Sequence, residues 1–191
     1  MKNYKKNLKI LEDGHVYSKE MEHDACGVGL IASTEGKKSR KVVEYGINAL
    51  KAVWHRGAVD ADGKTGDGAG IHLEIPSDFF AEKIEITGHD HDDSEICVGM
   101  IFLPRNNYQA QENARTLVES ELTKSNFSIY GWRQVPVNPK VLGEKANLTR
   151  PEITQVLFKH NNKDLTEKEL ERKIYESRRK IEKEAIKNAI E

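Results

Sequence analysis

Ala25-Cys26-Gly27-Val28-Gly29-Leu30-Ile31-Ala32 places a cysteine and two glycines directly ahead of an apolar run. A thiolate nucleophile needs a sulfur that a substrate can reach from outside. Glycine beside it leaves the backbone open on that side and tolerates unusual φ/ψ angles. The apolar run predicts a first strand over residues 27–33. The competing reading of the same cysteine is a small hydrophobe buried at the start of a core strand.

Beyond that strand, Ser39 predicts the cap of a helix whose apolar face holds Val42, Val43, Gly46, Ile47, Leu50, Val53 and Trp54. The helix is expected to pack on a sheet and to run out at His55-Arg56-Gly57, where glycine is a C-terminal signal. A glycine- and aspartate-rich loop over 58–68 leads to a second strand over 69–75, stopped by Pro76. Ser77 opens a short helical turn through Phe79 and Phe80, followed by a polar surface loop containing His89, Asp90, His91, Asp92 and Asp93. Residues 95–103 are apolar almost throughout and predict a central strand, and residues 107–124 predict a helix with a thin apolar face of Tyr108, Ala114, Leu117, Val118 and Leu122. Two further strands over 127–135 and 153–159 are joined by a turn-rich connection holding Pro136, Pro139, Gly143 and Pro151. Thr166-Glu167-Lys168-Glu169 is a capping box, and Leu170, Ile174, Arg178, Ile181, Ala185 and Ile190 lie along the charge-laced helix that follows it. The fold class expected is α+β, with a largely antiparallel sheet.

The chain of 191 residues is long enough for one domain with a real core. Its 30 Lys+Arg and 31 Asp+Glu nearly cancel, so no overall basic field exists to hold nucleic acid or an anionic membrane surface. Residues 1–10 carry lysines but no apolar stretch of secretory length, and no window reaches transmembrane length, so the cytoplasm is expected. The two cysteines, Cys26 and Cys97, read as independent thiols, with Cys97 in the core. Residues 1–25 show no sustained period and read as an extended or loosely attached leader, leaving 26–191 as the domain.

Four motifs occur in a telling order: Cys26-Gly27-Val28-Gly29, His55-Arg56-Gly57-Ala58, Gly66-Asp67-Gly68-Ala69-Gly70 and Gly131-Trp132-Arg133-Gln134-Val135-Pro136. Together they resemble the start of the glutamate synthase large subunit, a class II glutamine amidotransferase domain of the N-terminal-nucleophile hydrolase type. The resemblance runs from about Asp24 to the neighbourhood of Lys183. It implies part of a four-layered αββα sandwich, L-glutamine as substrate, and a propeptide removed between Ala25 and Cys26. For the complete family enzyme it also implies FMN, an iron–sulfur cluster and further domains or subunits as partners; no run of cysteines for a cluster is present here.

Attack on the side-chain amide of glutamine requires a base, oxyanion donors and a grip on the amino acid end. An N-terminal nucleophile supplies the base from its own α-amino group, whose pKa of about 7.7–8.0 suits the task, whereas an amide nitrogen is not basic. Cys26 is therefore expected to work only once freed from Ala25. Arg56 and Gly57 are carried over from the family's matching segment as site-orienting residues, against a plain reading of Arg56 as a helix C-terminal cation. Asp67 is either a site-orienting residue or simply the anchor of a tight turn.

No metal site is expected. Asp60-Ala61-Asp62-Gly63 opens like a calcium loop, but Lys64 and Ile71 stand where ligands belong. His89, His91 and their aspartates read as a solvated turn. The family's Arg-Phe-Ser-Thr and His-Asn-Gly type segments, which grip glutamine and hold the oxyanion, do not occur here. The chain therefore looks like the first part of the domain, with an exposed edge strand. The alternative is a non-catalytic truncated or split module that must pair with a complementing chain. A redox-sensing thiol would need a resolving cysteine near Cys26, and none is evident.

Overall fold

The computed structural model describes residues 6, 9, 10, 13, 27–54, 57–92 and 94–190. They fall into two compact units, Met1–Ala58 with Asp67–Ile71, and Val59–Gly66 with His72–Glu191.

In the first unit, helix α1 spans Arg40–Ala52, capped by the Ser39 hydroxyl, which accepts the Val42 amide at 3.4 Å. Val42, Val43, Gly46, Ile47 and Leu50 are half-buried, and a Cβ on Gly46 would stand 3.1 Å from Ile71 Cδ1, so this face packs closely on residue 71. The helix ends earlier than expected, at Ala52 with Val53 as cap, and Trp54 is exposed rather than part of the apolar face. Residues 27–33 form no strand: their backbone makes no ladder among the described residues, and Val28 and Leu30 are 93% and 90% exposed. Composition favours a strand there, but a strand exists only when its amides find partners. The same correction holds for residues 69–75. In the leader, residues 6, 9, 10 and 13 have helical backbone.

The second unit is built on a three-stranded antiparallel sheet in the order β1-β3-β2, with β1 Cys97–Leu103, β2 Phe127–Gln134 and β3 Glu152–His160. The apolar β1 is therefore an edge, and β3 is central. Thr154, Gln155, Val156, Leu157 and Phe158 are all buried, because β3 is covered on both faces, whereas Met100 and Phe102 of β1 are exposed. The strand expected over 153–159 is present, and two polar residues hid only its central place; Gln155 is satisfied by the Arg133 guanidinium at 2.5 Å.

Helices α3 (Tyr108–Lys124) and α5 (Glu167–Lys187) cover one face, where Cys97, Val118, Leu122, Phe127, Val156, Phe158 and Leu170 form one cluster. The Asn107 side chain caps α3 by accepting the Ala110 amide at 3.0 Å, and the expected capping box of α5 is present. Along α5 the buried stripe runs through Leu170, Ile174, Ser177 and Ile181. Arg178 points to solvent and pairs with Glu182 at 3.3 Å.

Helix α2 (Ser77–Ile86) lies on the opposite face and is ten residues long, not a short turn. Its Phe80 and Ile84, one turn apart, join Ile96, Tyr130 and Leu157 in a second cluster. A register shift between Ile129 and Gly131 bends β2 there. Gly131 adopts φ +152°, with Thr87 Cγ2 only 3.0 Å from where a Cβ would be. The proline-bearing connection between β2 and β3 contains a 3-10 turn, Pro139–Val141, and a short helix α4, Glu144–Thr149.

Candidate functional site

The loop after α1 is closed by its aspartates. In the first unit, the Asp67 carboxylate accepts the Ala58 amide at 2.8 Å, while the Asp67 amide donates to the Ala58 carbonyl at 3.2 Å. Gly57 donates its amide to the Trp54 carbonyl at 3.1 Å. A Cβ at Gly57 would meet only that carbonyl at 3.4 Å, so nothing in its described surroundings demands glycine on steric grounds.

In the second unit, residues 59–66 fold into a tight turn across a Val59–Gly66 antiparallel bridge. Asp62 accepts the amides of Lys64 and Thr65 at 2.9 and 2.7 Å and the Thr65 hydroxyl at 2.5 Å. Those bonds, the Thr65 hydroxyl first, hold its carboxyl well below the usual carboxylate range, and the Glu144 amide at the start of α4 adds a weaker pull. Asp60 pairs with Lys145 at 2.7 Å across 85 residues of sequence. Gly143, immediately before α4, approaches so closely that a Cβ there would overlap Thr65 Oγ1 and Asp62 Oδ2. The aspartates that open like a calcium loop thus have turn and helix partners already, and no group of three His, Cys, Asp or Glu among the described residues is placed to hold a metal ion.

The described part of the expected surface loop, residues 89–92, is a structural hub. Asp92 accepts from Lys159 at 2.8 Å, Lys163 at 2.9 Å and the Tyr130 hydroxyl at 3.3 Å. Lys159 above all, with Ser94 and Lys163 adding, keeps its carboxyl far below the ordinary range. Burial, then the nearby Asp92 charge, pushes the Tyr130 phenol up to about 12.

Cys97 is a free thiol, 3% exposed, and burial, followed by Glu95 and Glu171, raises it to about 12. Such a thiol is no nucleophile near neutral pH, so Cys97 is a core residue as its flanking Ile96 and Val98 suggest. Of the positions singled out in the sequence, Ala25, Cys26, His55, Arg56 and Asp93 lie outside the described residues. Gly57 and Asp67 lie in the same unit, where Asp67 ties down the residue that follows Gly57. The docking of Asp60, Asp62 and Thr65 against Gly143 and Lys145 was missed; its only sequence signal was a glycine amid turn residues.

The family of class-II glutamine amidotransferases matches residues 26–191. The chain is 52% identical over 181 residues to the NADPH glutamate synthase large chain of Azospirillum brasilense, covering 95% of this chain and 12% of that one. It is 36% identical over 176 residues to the ferredoxin-dependent glutamate synthase of Pyropia yezoensis, covering 92% and 11%. It is 39% identical over 165 residues to the chloroplastic/mitochondrial ferredoxin-dependent glutamate synthase 1 of Arabidopsis thaliana, covering 85% and 10%. Against each of these relatives it spans no more than 12% of the relative's length.

Proposed function

Since this chain belongs to the class-II glutamine amidotransferases, we propose that it is the glutaminase part of a glutamate synthase, with Cys26 as nucleophile after removal of residues 1–25. The observation that carries this reading is that the family match begins on Cys26 itself. The burial and raised pKa of Cys97, the chain's other cysteine, support it further.

The α-amino group of the freed Cys26 takes the thiol proton. The thiolate attacks the amide carbon of L-glutamine and forms a tetrahedral oxyanion. Collapse breaks the C–N bond, and the amine leaves as ammonia with the proton returned from the α-ammonium. Water then resolves the glutamyl thioester to glutamate. Arg56, Gly57 and Asp67 act as positioning residues, Asp67 through its hold on the Ala58 amide.

In the complete enzyme the ammonia serves glutamate formation from 2-oxoglutarate, in the cytoplasm, with FMN and an iron–sulfur cluster supplying electrons. The residues present do not fit a cluster, which takes several thiolates. The chain has two cysteines and Cys97 is sealed in the core, so no step here passes through a cluster.

Two measurements on protein purified from its own cells test the proposal: the identity of the first residue, and release of glutamate from glutamine before and after Cys26→Ala. An N-terminus at Cys26 and an activity abolished by the substitution are expected. An intact Met1 together with activity indifferent to the substitution sinks the proposal.

A second reading is favoured by the exposed apolar segment around Val28 and Leu30: a non-catalytic module that pairs with a complementing chain. It predicts no glutamate release from the chain alone or with its complement, and a Cys26→Ala variant that still assembles.

A further inference from the structure

We infer an oxyanion-binding site in the cleft between the turn after β1 and the turn before β3. The cleft, of about 320 Å³, is lined by Arg105 and Arg150, with Asn106 and Thr149 beside them and Phe102 and Leu148 as apolar walls. No acidic side chain lines it. Neither arginine makes an ion pair among the described residues. Two cationic side chains lining one cleft without a counter-charge favour an anion there, which their forked donors suit.

The first arginine is held in place. Gln111, 5% exposed, donates its side-chain amide to the carbonyls of Pro104 and Arg105 at 2.8 and 3.3 Å, pinning the turn from beneath. Arg105 donates one guanidinium N–H to the Asn147 carbonyl at 3.1 Å, which fixes its plane and leaves its other donors for a ligand. The second arginine is unsatisfied. Arg150 Nε is buried without a hydrogen-bond partner, an arrangement that costs free energy unless an acceptor arrives. Pro104 and Pro151 stiffen the two turns, so little order remains to be imposed on binding. The ligand class is a small oxyanion, either phosphoryl or carboxylate, and the apolar walls suit a carboxylate with a short hydrocarbon body.

The test uses the whole chain, labelled with nitrogen-15 and titrated at constant ionic strength in sodium chloride with sodium phosphate or sodium succinate, while the arginine Nε–Hε signals are followed. The Arg150 signal, assigned by its loss in Arg150→Gln, is expected to shift saturably with at least one anion. Affinity, read in the variants on the Arg105 Nε–Hε signal, should fall at least tenfold in Arg150→Gln and several-fold in Arg150→Lys, which keeps the charge but not the fork. Saturation by phosphate alone assigns a phosphoryl ligand, and by succinate alone a carboxylate. If Arg150→Gln fails to fold, Arg150→Lys carries the comparison. Absence of a saturable shift with both anions in the unmodified chain, or unchanged affinity in the folded variants, overturns the site.

Discussion

Asp67 holds the Ala58 amide on its carboxylate at 2.8 Å and returns its own amide to the Ala58 carbonyl at 3.2 Å, a two-way tie between residues nine apart. That tie fixes the residue that follows Gly57 to the far end of the loop.

Asp67→Ala should therefore speed hydrogen exchange of the Ala58 amide by roughly tenfold, the factor expected for one lost bond of this kind. Asp67→Asn, which keeps an acceptor oxygen, should change it far less. Equal exchange in both variants would mean that the carboxylate does not hold the turn.

Gly143→Ala should destabilise the second unit by about 1–3 kcal/mol, because the new methyl overlaps Thr65 Oγ1 and Asp62 Oδ2. Gly143 has an ordinary φ of −70°, so backbone strain plays no part. Urea midpoints of Gly143→Ala, Thr65→Ala and the double variant separate the causes: the double variant should be less destabilised than the sum of the two singles.

Ile84→Ala should cost about 2–5 kcal/mol, since Ile84 is 0% exposed and anchors α2 on the sheet through Phe80 and Leu157. Thermal melting of the two proteins at neutral pH measures it.

Stability should fall as pH rises above about 9. Burial raises the Cys97 thiol to about 12, so the unfolded chain gives up its proton first and alkali favours unfolding throughout that interval. Its contribution is complete below the unfolded pKa and is lost as pH climbs toward 12. Urea midpoints from pH 8 to 11 should decline less steeply in Cys97→Ala, and an identical slope would remove the thiol as the cause.

Acid should act on Asp92 in the opposite sense. Its carboxyl is depressed by Lys159 first, so its contribution is present above about pH 4 and drains away as pH falls below the unfolded carboxylate range. Asp92→Asn should be less stable than the unmodified chain at pH 7, and the two stability curves should converge on acidification.

Local signals carried much of the architecture. The caps Ser39, Asn107 and Thr166 fix where α1, α3 and α5 begin because each side chain satisfies an amide within three residues, a bond the sequence displays directly. The cysteine-glycine start and the order of the four motifs pointed to the family that matches residues 26–191. Tertiary structure decided what depends on partners far away in sequence. β3 became the central strand because Arg133 could satisfy Gln155 and a cover of helices formed on both faces, while the more apolar β1 was left at the edge. Residues 27–33 and 69–75 have strand composition without strand structure, because β-pairing is a property of two segments and not of one. The Lys145 partner of Asp60, and the Glu144 amide that adds to the local bonds of Asp62, lie more than 80 residues away, a distance that folding closes and no local pattern records.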